Sequence, residues 1–296
     1  MTAGPPLIDG TCPSCGQLIA GSDSFCDACG TELAPPVAGT EPDGFTRHCP
    51  VCSVDPAVTP GAISAEGYCE SCGRKAPSGR DHIELDLVLV AGVTDRGLRH
   101  TRNEDAMAMA TADTPTGPVA IAVVCDGVST SPRSDEASMA AAQAAVRTLL
   151  AAARHGEDPV HASPVAVRAA HQALSALATP GQAPSATYAS AIVSGEGVTL
   201  SWLGDSRVYW LGADGHATRL STDDSMAEEL VAQGTMNEAD ALASPQAHVI
   251  TRWLGPDLAE VHPHVLRVEP LGPGVVLVCS DGLWNYRPEA AGLAQL

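Results

Sequence analysis

Blocks of apolar residues alternate with short polar breaks along this chain, and they become long enough to predict regular elements from residue 84 onward. ELDLVLVAGV (84–93) alternates and predicts a strand, and AMAMA (106–110) predicts a second. PVAIAVVCDG (118–127) is a continuous apolar run ending in Asp-Gly, the pattern of a buried strand that delivers a carboxylate at its C-terminal end. SDEASMAAAQAAVRTLLAAA (134–153) reads as a long helix, with Ser134 as its cap and Asp135 and Glu136 at its positive end. PVAVRAAHQALSALA (164–178) predicts a second helix with Pro164 in its first turn. Strand patterns follow at 186–194, 198–204 and 207–212, then a short helix over 222–234 closed by Gly234. Further strands are predicted at 262–268 and 274–282, and a last helix begins at 287. Strand-rich blocks that flank two central helices imply an α+β fold rather than alternating β-α-β units.

The residues before 84 hold too few large apolar side chains to bury a core of their own. They carry eight of the ten cysteines, as four Cys-x-x-Cys pairs: Cys12/Cys15, Cys26/Cys29, Cys49/Cys52 and Cys69/Cys72. Ten residues separate the first two pairs and sixteen the last two. One such knuckle supplies two thiolates from a single turn, and two complete a tetrahedral all-sulfur site, so eight thiols match two zinc ions. Disulfides would need an oxidising compartment for which nothing here argues, and a redox dithiol would need one pair rather than four. With every position taken by sulfur, such zincs are structural, and their binding supplies folding energy. The stretch resembles the double zinc ribbons of many bacterial regulatory proteins. The expected layout is a zinc ribbon over 1–33, a linker over 34–46, a second ribbon over 47–75, a linker over 76–83 and a main domain over 84–296.

Charge narrows the range of functions. Acidic residues number 35 against 16 basic, a net charge of −19, and Lys75 is the single lysine. That balance argues against a broad binding face for nucleic acid or anionic lipid. Residues 1–80 alone hold nine acidic and four basic side chains, so the ribbons are expected to contact protein. No apolar stretch reaches the length of a membrane span, and MTAGPPLIDG has neither a basic nor an apolar signal region. A cytoplasmic protein is the expectation. Aromatic residues are only 3% of the chain, so the core must be filled by Val, Leu, Ile and Ala.

Three carboxylates end apolar strand patterns beside Gly or Ser: Asp126 in VVCDG, Asp205 in LGDSR and Asp281 in VCSDG. A fourth group, Glu104-Asp105, immediately precedes a strand. A lone Asp-Gly is most simply a turn. Three such corners and an Asn-Glu-Asp in one domain point instead to convergence on a shared cleft. Unpaired, these groups would repel one another; hard divalent cations with oxygen ligands, Mg²⁺ or Mn²⁺, remove that cost. Cys125 and Cys279 lie within strand patterns and read as buried apolar side chains.

The ordered blocks TDRGLRHTRNEDA (94–106), VVCDG (123–127), WLGDSRVYWL (202–211), TDDSMAEELVAQG (222–234), VITRWLG (249–255) and LVCSDGLWN (277–285) resemble the PPM, or type 2C, metal-dependent protein Ser/Thr phosphatases. The resemblance covers about residues 88–296. It implies a four-layer α-β-β-α sandwich with a metal cleft between two antiparallel sheets. It further implies hydrolysis of phosphoserine and phosphothreonine by a water activated between two Mn²⁺ or Mg²⁺ ions. In that scheme Asp126 bridges the ions, the Gly127 carbonyl ligates one, Glu104 holds the second with Asp105 in support, and Asp281 ligates the first. Asp205 lies near a weaker third position. The implied substrates are phosphoproteins, targets of a Ser/Thr kinase. The alternatives are a non-catalytic relative that uses its ribbons for protein contacts, and a zinc-ribbon nucleic-acid binder. The retained carboxylates favour the enzyme over the first, and the net charge disfavours the second.

The chain also departs from the family pattern. His100 stands where the phosphate-gripping arginine is found, with Arg99 and Arg102 as neighbouring substitutes. VSTSPRSDEAS (128–138) has no counterpart of the proposed general-acid histidine, and Arg133 within it faces either substrate or the helix entry. The family's closing strand, with its Asp-Asn corner, has no counterpart before Leu296. The main domain is therefore expected to be C-terminally incomplete and to hold the first metal weakly.

Overall fold

The computed structural model describes residues 8–11, 18–20, 49, 51–56, 58–64, 67–74, 76, 79–98, 100–269 and 272–295. The chain divides into two units, Met1–Ala38 and Gly39–Leu296. In the first, β1 (Ile8–Thr11) and β2 (Leu18–Ala20) form an antiparallel pair. The first predicted cysteine quartet, Cys12, Cys15, Cys26 and Cys29, lies outside the described residues.

The second unit opens with a correction. The stretch expected to be one strand is two, β3 (His82–Asp86) and β4 (Ala91–Asp95), paired antiparallel. The chain reverses where Val88 adopts φ 72° and donates its N–H to Asp86 Oδ1 (2.7 Å), while Leu87 N–H donates to Val90 O (2.9 Å). An Asp side chain closes the turn, so no Gly or Pro interrupts the apolar pattern to announce it.

β5 (Asp105–Thr114) and β6 (Gly117–Asp126) follow, then α1 (Ser134–Arg154), α2 (Pro159–Ser175), β7 (Tyr188–Ser194), β8 (Gly197–Leu203), β9 (Arg207–Gly212) and β10 (Ala217–Arg219). The chain continues through α3 (Met226–Ala232), α4 (Glu238–Leu242), β11 (His264–Val268), β12 (Gly274–Cys279), α5 (Asp281–Trp284) and α6 (Ala290–Leu293). Two antiparallel sheets result, one in the order β11-β8-β7-β6-β5 and one in the order β10-β9-β12.

The helices α1 and α2 cover one face of the larger sheet. Their seam is built on alanine: Ala137, Ala141 and Ala145 of α1 and Ala166 and Ala170 of α2 are fully buried with Ile121, Val123 and Leu174. Small side chains let helix and sheet approach closely, which is how a chain this poor in aromatics fills its core. Between the sheets lie Leu200, Trp202 and Val208, packed with Val276 and Val278. On the outer face of the smaller sheet, Tyr209 and Cys279 pack with Trp284 and Leu293 from α5 and α6. The layers therefore run helices, sheet, sheet, short helices. Among the described residues, no helix is long and apolar enough to cross a membrane.

Two helix starts differ from expectation. Asp158, not Pro164, sets the start of α2: its side chain accepts from Val160 N (2.9 Å), Pro159 takes the first position, and Pro164 falls inside the helix. Ser134 does not cap α1. Arg133 precedes the helix at φ 54° with no side-chain cap, and the Ser134 hydroxyl is used elsewhere.

Candidate active site

Register brings the first two carboxylates together. The β5–β6 pairing sets Asp105 opposite Asp126, at the same end of the larger sheet. Thr187, just before β7, fixes the end of β6: its N–H donates to Asp126 O (2.8 Å), and its Oγ1 accepts from Asp126 N (3.1 Å). Asp205 follows β8 and Asp281 follows β12, both at this edge. One cleft of about 480 Å³ is lined by Glu104, Asp105, Asp126, Asp205 and Asp281, together with His100, Arg102, Ser129, Thr187, His248 and Tyr286. Residues from six separate segments thus meet in one place.

The carboxylates are poorly accommodated as bare charges. Burial pushes Asp126 well above the usual carboxylate range, and the charges of Asp105, Asp281 and Asp205 push it further. Burial likewise raises Asp105, against the hydroxyl of Ser280, which donates to Asp105 Oδ2 at 2.6 Å. Asp205 is pushed up to about 7 by burial, with Asp281 and Asp223 adding to the effect. Among the described residues, no Arg, Lys or His makes an ion pair with Asp126, Asp205 or Asp281.

Glu104 is held differently. Burial works against its charge, but Ser129 Oγ donates to Oε2 (2.5 Å), and Ser134 Oγ (2.7 Å) and Arg102 Nε (3.1 Å) donate to Oε1; together they keep it below its usual range. This is the use of Ser134 that replaces capping. Gly127 joins Glu104 to α1: its N–H donates to Glu104 O (3.0 Å), and a Cβ there would lie 2.3 Å from Ser134 O and 2.8 Å from Glu104 O. Only glycine allows the chain to pass between them.

The loop carrying Asp205 is pinned from both sides. Trp284 Nε1 donates to Asp205 O (2.9 Å), and the buried Arg207 guanidinium lies 3.6 Å over the Trp284 ring. Arg207 also grips Asp223 through Nε (2.9 Å) and Nη2 (2.6 Å). On the other side Gly204 N donates to Asp224 Oδ2 (3.0 Å).

Of the expected phosphate-contacting residues, His100 and Arg102 line the cleft, and Arg99 lies outside the described residues. Arg133 is turned to Glu136 and to Leu177 O (2.9 Å), the helix-entry role. Ser129, Ser134 (expected only as a helix cap), Ser280 and His248 are residues the sequence reading did not single out for the cleft. The hydroxyl-rich run directly after Asp126-Gly127 was the available signal for the first two; His248 carried none.

The second cysteine quartet forms a separate centre. Among the described residues, Cys49, Cys52, Cys69 and Cys72 form a group of potential ligands whose ligand atoms all lie within 4.8 Å of one another. The Sγ atoms of Cys49 and Cys72, and of Cys52 and Cys69, are 3.4 Å apart. The two knuckles repeat one geometry: Ser53 N donates to Cys49 O (2.9 Å) with Ser53 at φ 54°, and Gly73 N donates to Cys69 O (2.8 Å) with Gly73 at φ 70°. Backbone N–H groups turned to sulfur, Cys52 first, hold the Cys49 thiol down to about 6. Cys52, by contrast, is pushed up to about 12 by its hydrogen bonds to Cys49 and Cys69, so the thiolate is favoured at Cys49 and Cys69 and not at all four sulfurs until a cation is bound.

Comparison with known proteins places the chain in a family. Residues 96–293 match the family model described as protein phosphatase 2C. The serine/threonine protein phosphatase PstP of Mycobacterium tuberculosis is 29% identical over 209 residues, 67% of this chain and 37% of that protein. Its crystal structure aligns at 28% identity with a TM-score of 0.50, covering 64% of this chain and 77% of the other. The PPM Ser-Thr phosphatase MsPP of Mycobacterium smegmatis, solved in complex with cacodylate, aligns at 26% identity and a TM-score of 0.52, covering 68% and 86%. The chain spans between a third and two fifths of the length of the curated relatives it matches. A sandwich whose acidic cleft and family match fall on the same residues leaves one assignment: this chain belongs to the protein phosphatase 2C family.

Proposed function

We propose that the chain hydrolyses phosphoserine and phosphothreonine in proteins, using divalent cations, Mn²⁺ or Mg²⁺, in the carboxylate cleft. The observation that carries the reading is the meeting of Glu104, Asp105, Asp126, Asp205 and Asp281 in one cleft. The donor set fits hard cations: acceptor-only oxygens, buried, and mutually repelling until positive charge is supplied. In this reading Asp126 would be shared by both ions, Asp281 would hold the first and Glu104 the second, the Gly127 carbonyl would serve one of them, and Asp205 would lie near a weaker third position. When bound, such cations lower the pKa of an attacking water and offset charge on the phosphoryl oxygens.

The protein's own groups set the stage for that chemistry. Ser129, Ser134 and Arg102 keep Glu104 ionised at neutral pH. Ser280 orients Asp105. His100, with 60% of its side chain exposed at the cleft, supplies an imidazole N–H, and Arg102 positive charge, for a phosphate group. The Mycobacterium relatives, named as Ser/Thr phosphatases, one of them holding the oxyanion cacodylate, support the substrate class. Zn²⁺ is proposed for Cys49, Cys52, Cys69 and Cys72 as a structural ion, since all four donors are sulfur. A second zinc is proposed for Cys12, Cys15, Cys26 and Cys29. The cysteine modules are proposed to contact protein, and the phosphoprotein substrates to be targets of a Ser/Thr kinase.

The test is phosphate release from a phosphothreonine peptide by the full chain, titrated with Mn²⁺. Asp126→Asn should lower turnover by more than about a hundredfold, beyond the loss typical of an outer partner. Metal-independent turnover, or a fully active Asp126→Asn protein, would refute the cleft chemistry. Mn²⁺ uptake without turnover would favour the non-catalytic relative.

A further inference from the structure

The cleft is braced by a segment that lies outside it. Residues 76–81 connect the cysteine quartet to β3. At their start, Ala76 N donates to Gly67 O (2.8 Å), next to the knuckle of Cys69 and Cys72. Four residues on, the Arg80 guanidinium reaches the first turn of α1. Its Nη2 donates to Asp135 O at 2.5 Å, and its Nη1 lies 4.0 Å from Asp135 Oδ2. Asp135 Oδ1 is in turn 3.7 Å from Arg102 Nη1. Arg102 then donates to Glu104 Oε1 (3.1 Å) and to Ser134 Oγ (3.3 Å).

The backbone of the same segment makes a parallel link. Arg80 O accepts from Asn103 Nδ2 (3.0 Å), and Asn103 Oδ1 accepts from Asp105 N (3.2 Å). Asn103 is buried, so its amide is held rather than free to turn. One residue further, Asp81 O accepts from Arg96 N (2.8 Å). Side chain and main chain of Arg80 thus converge on adjacent residues of the cleft, Glu104 and Asp105.

We propose that Arg80 is a positioning residue for Glu104, through which the cysteine-quartet segment sets the affinity of the cleft for a divalent cation. The inference rests on the cation-binding reading above. Arg80 fixes Asp135, Asp135 faces Arg102, and Arg102 aims the Glu104 carboxylate. A guanidinium suits this place because its fork addresses a carbonyl and a carboxylate at once; an ammonium reaches one of them. Removing the fork leaves Glu104 its hydroxyl partners but loosens Arg102, so the expected effect is weaker cation binding rather than a slower chemical step.

The experiment uses the full chain loaded with Zn²⁺ and follows Mn²⁺ binding by calorimetry. Arg80→Met keeps the apolar stem and removes the donors. It should raise the Mn²⁺ Kd about threefold to tenfold, the range in which such relays act. The Mn²⁺ concentration for half-maximal hydrolysis of p-nitrophenyl phosphate should rise in step, with kcat at saturating Mn²⁺ within about twofold of wild type. Arg80→Lys should fall between the two. The pair Cys49→Ser/Cys52→Ser should weaken Mn²⁺ binding in the wild-type background and add less than about twofold to Arg80→Met, because the link is already cut. Should Arg80→Met fail to fold, Asp135→Asn interrupts the same relay one residue on and should give the same Kd shift. An Arg80→Met protein with wild-type Mn²⁺ affinity, or effects of the two changes that multiply, would overturn the proposal. Wild-type protein that takes up no Mn²⁺ sinks the cleft reading and this inference together. Normal Mn²⁺ uptake and turnover with an unchanged Arg80→Met Kd sinks this inference alone.

Discussion

Gly127→Ala is the sharpest test of how tightly the cleft is built. The added Cβ would stand 2.3 Å from Ser134 O, 2.6 Å from Ser134 C and 2.8 Å from Glu104 O, all of them backbone atoms. No side chain can swing away to make room, so either the first turn of α1 or the 104–105 segment must move. Overpacking of this kind costs about 1–3 kcal/mol. The shift also strains the Gly127 N to Glu104 O hydrogen bond of 3.0 Å, worth about 0.5–1.5 kcal/mol. The sum is about 1.5–4.5 kcal/mol, which for a domain of this size lowers Tm by about 3–18 °C. Thermal unfolding followed by circular dichroism measures it. Gly272→Ala is the control, because a Cβ there meets nothing within 4 Å, and it should leave Tm unchanged. If Gly127→Ala melts within about 2 °C of wild type, the backbone around Glu104 yields freely, and the account of a rigid cleft fails.

Other outcomes follow from the same structure. Arg207→Met leaves the buried Asp223 without its bidentate partner and removes the cation from the Trp284 face; it should cost about 3 kcal/mol or more in chemical denaturation, and a loss below about 1 kcal/mol would contradict the burial argument. His82 is held above its usual pKa by hydrogen bonding to Asp95 (2.7 Å) and Glu84 (3.1 Å). Its raised folded value means that its contribution is present below about pH 6.5 and lost as pH rises through the folded pKa. His82→Ala should therefore speed amide exchange in β3 and β4 at pH 5.5 and not at pH 8.5; equal effects at both would show that the pairing is not protonation-linked. Elemental analysis should find two zinc ions per chain, and one after Cys49→Ser/Cys52→Ser; an unchanged zinc content in that variant would remove the metal from the second quartet.

Much of the architecture was legible in residue order because the relevant physics is local. The run ending at Asp126 announced a buried strand with a carboxylate at its tip, and β6 ends there. The Ala-rich stretch after Ser134 announced α1, and the paired knuckles announced a four-sulfur cluster that the second quartet forms. Where a local rule had a rival, residue order misled. Asp86 closes the β3–β4 turn without Gly or Pro, and Asp158 starts α2 ahead of Pro164. Only the folded chain decides which distant groups share a hydrogen bond. Ser134 lies 30 positions from Glu104, and Ser280 lies 175 from Asp105. Period and propensity report on neighbours along the chain, whereas the environment of a buried carboxylate is set by whatever the sheets bring beside it. Residue order named the acidic corners; sheet register and the α1 terminus chose the hydroxyls and guanidinium groups that surround them.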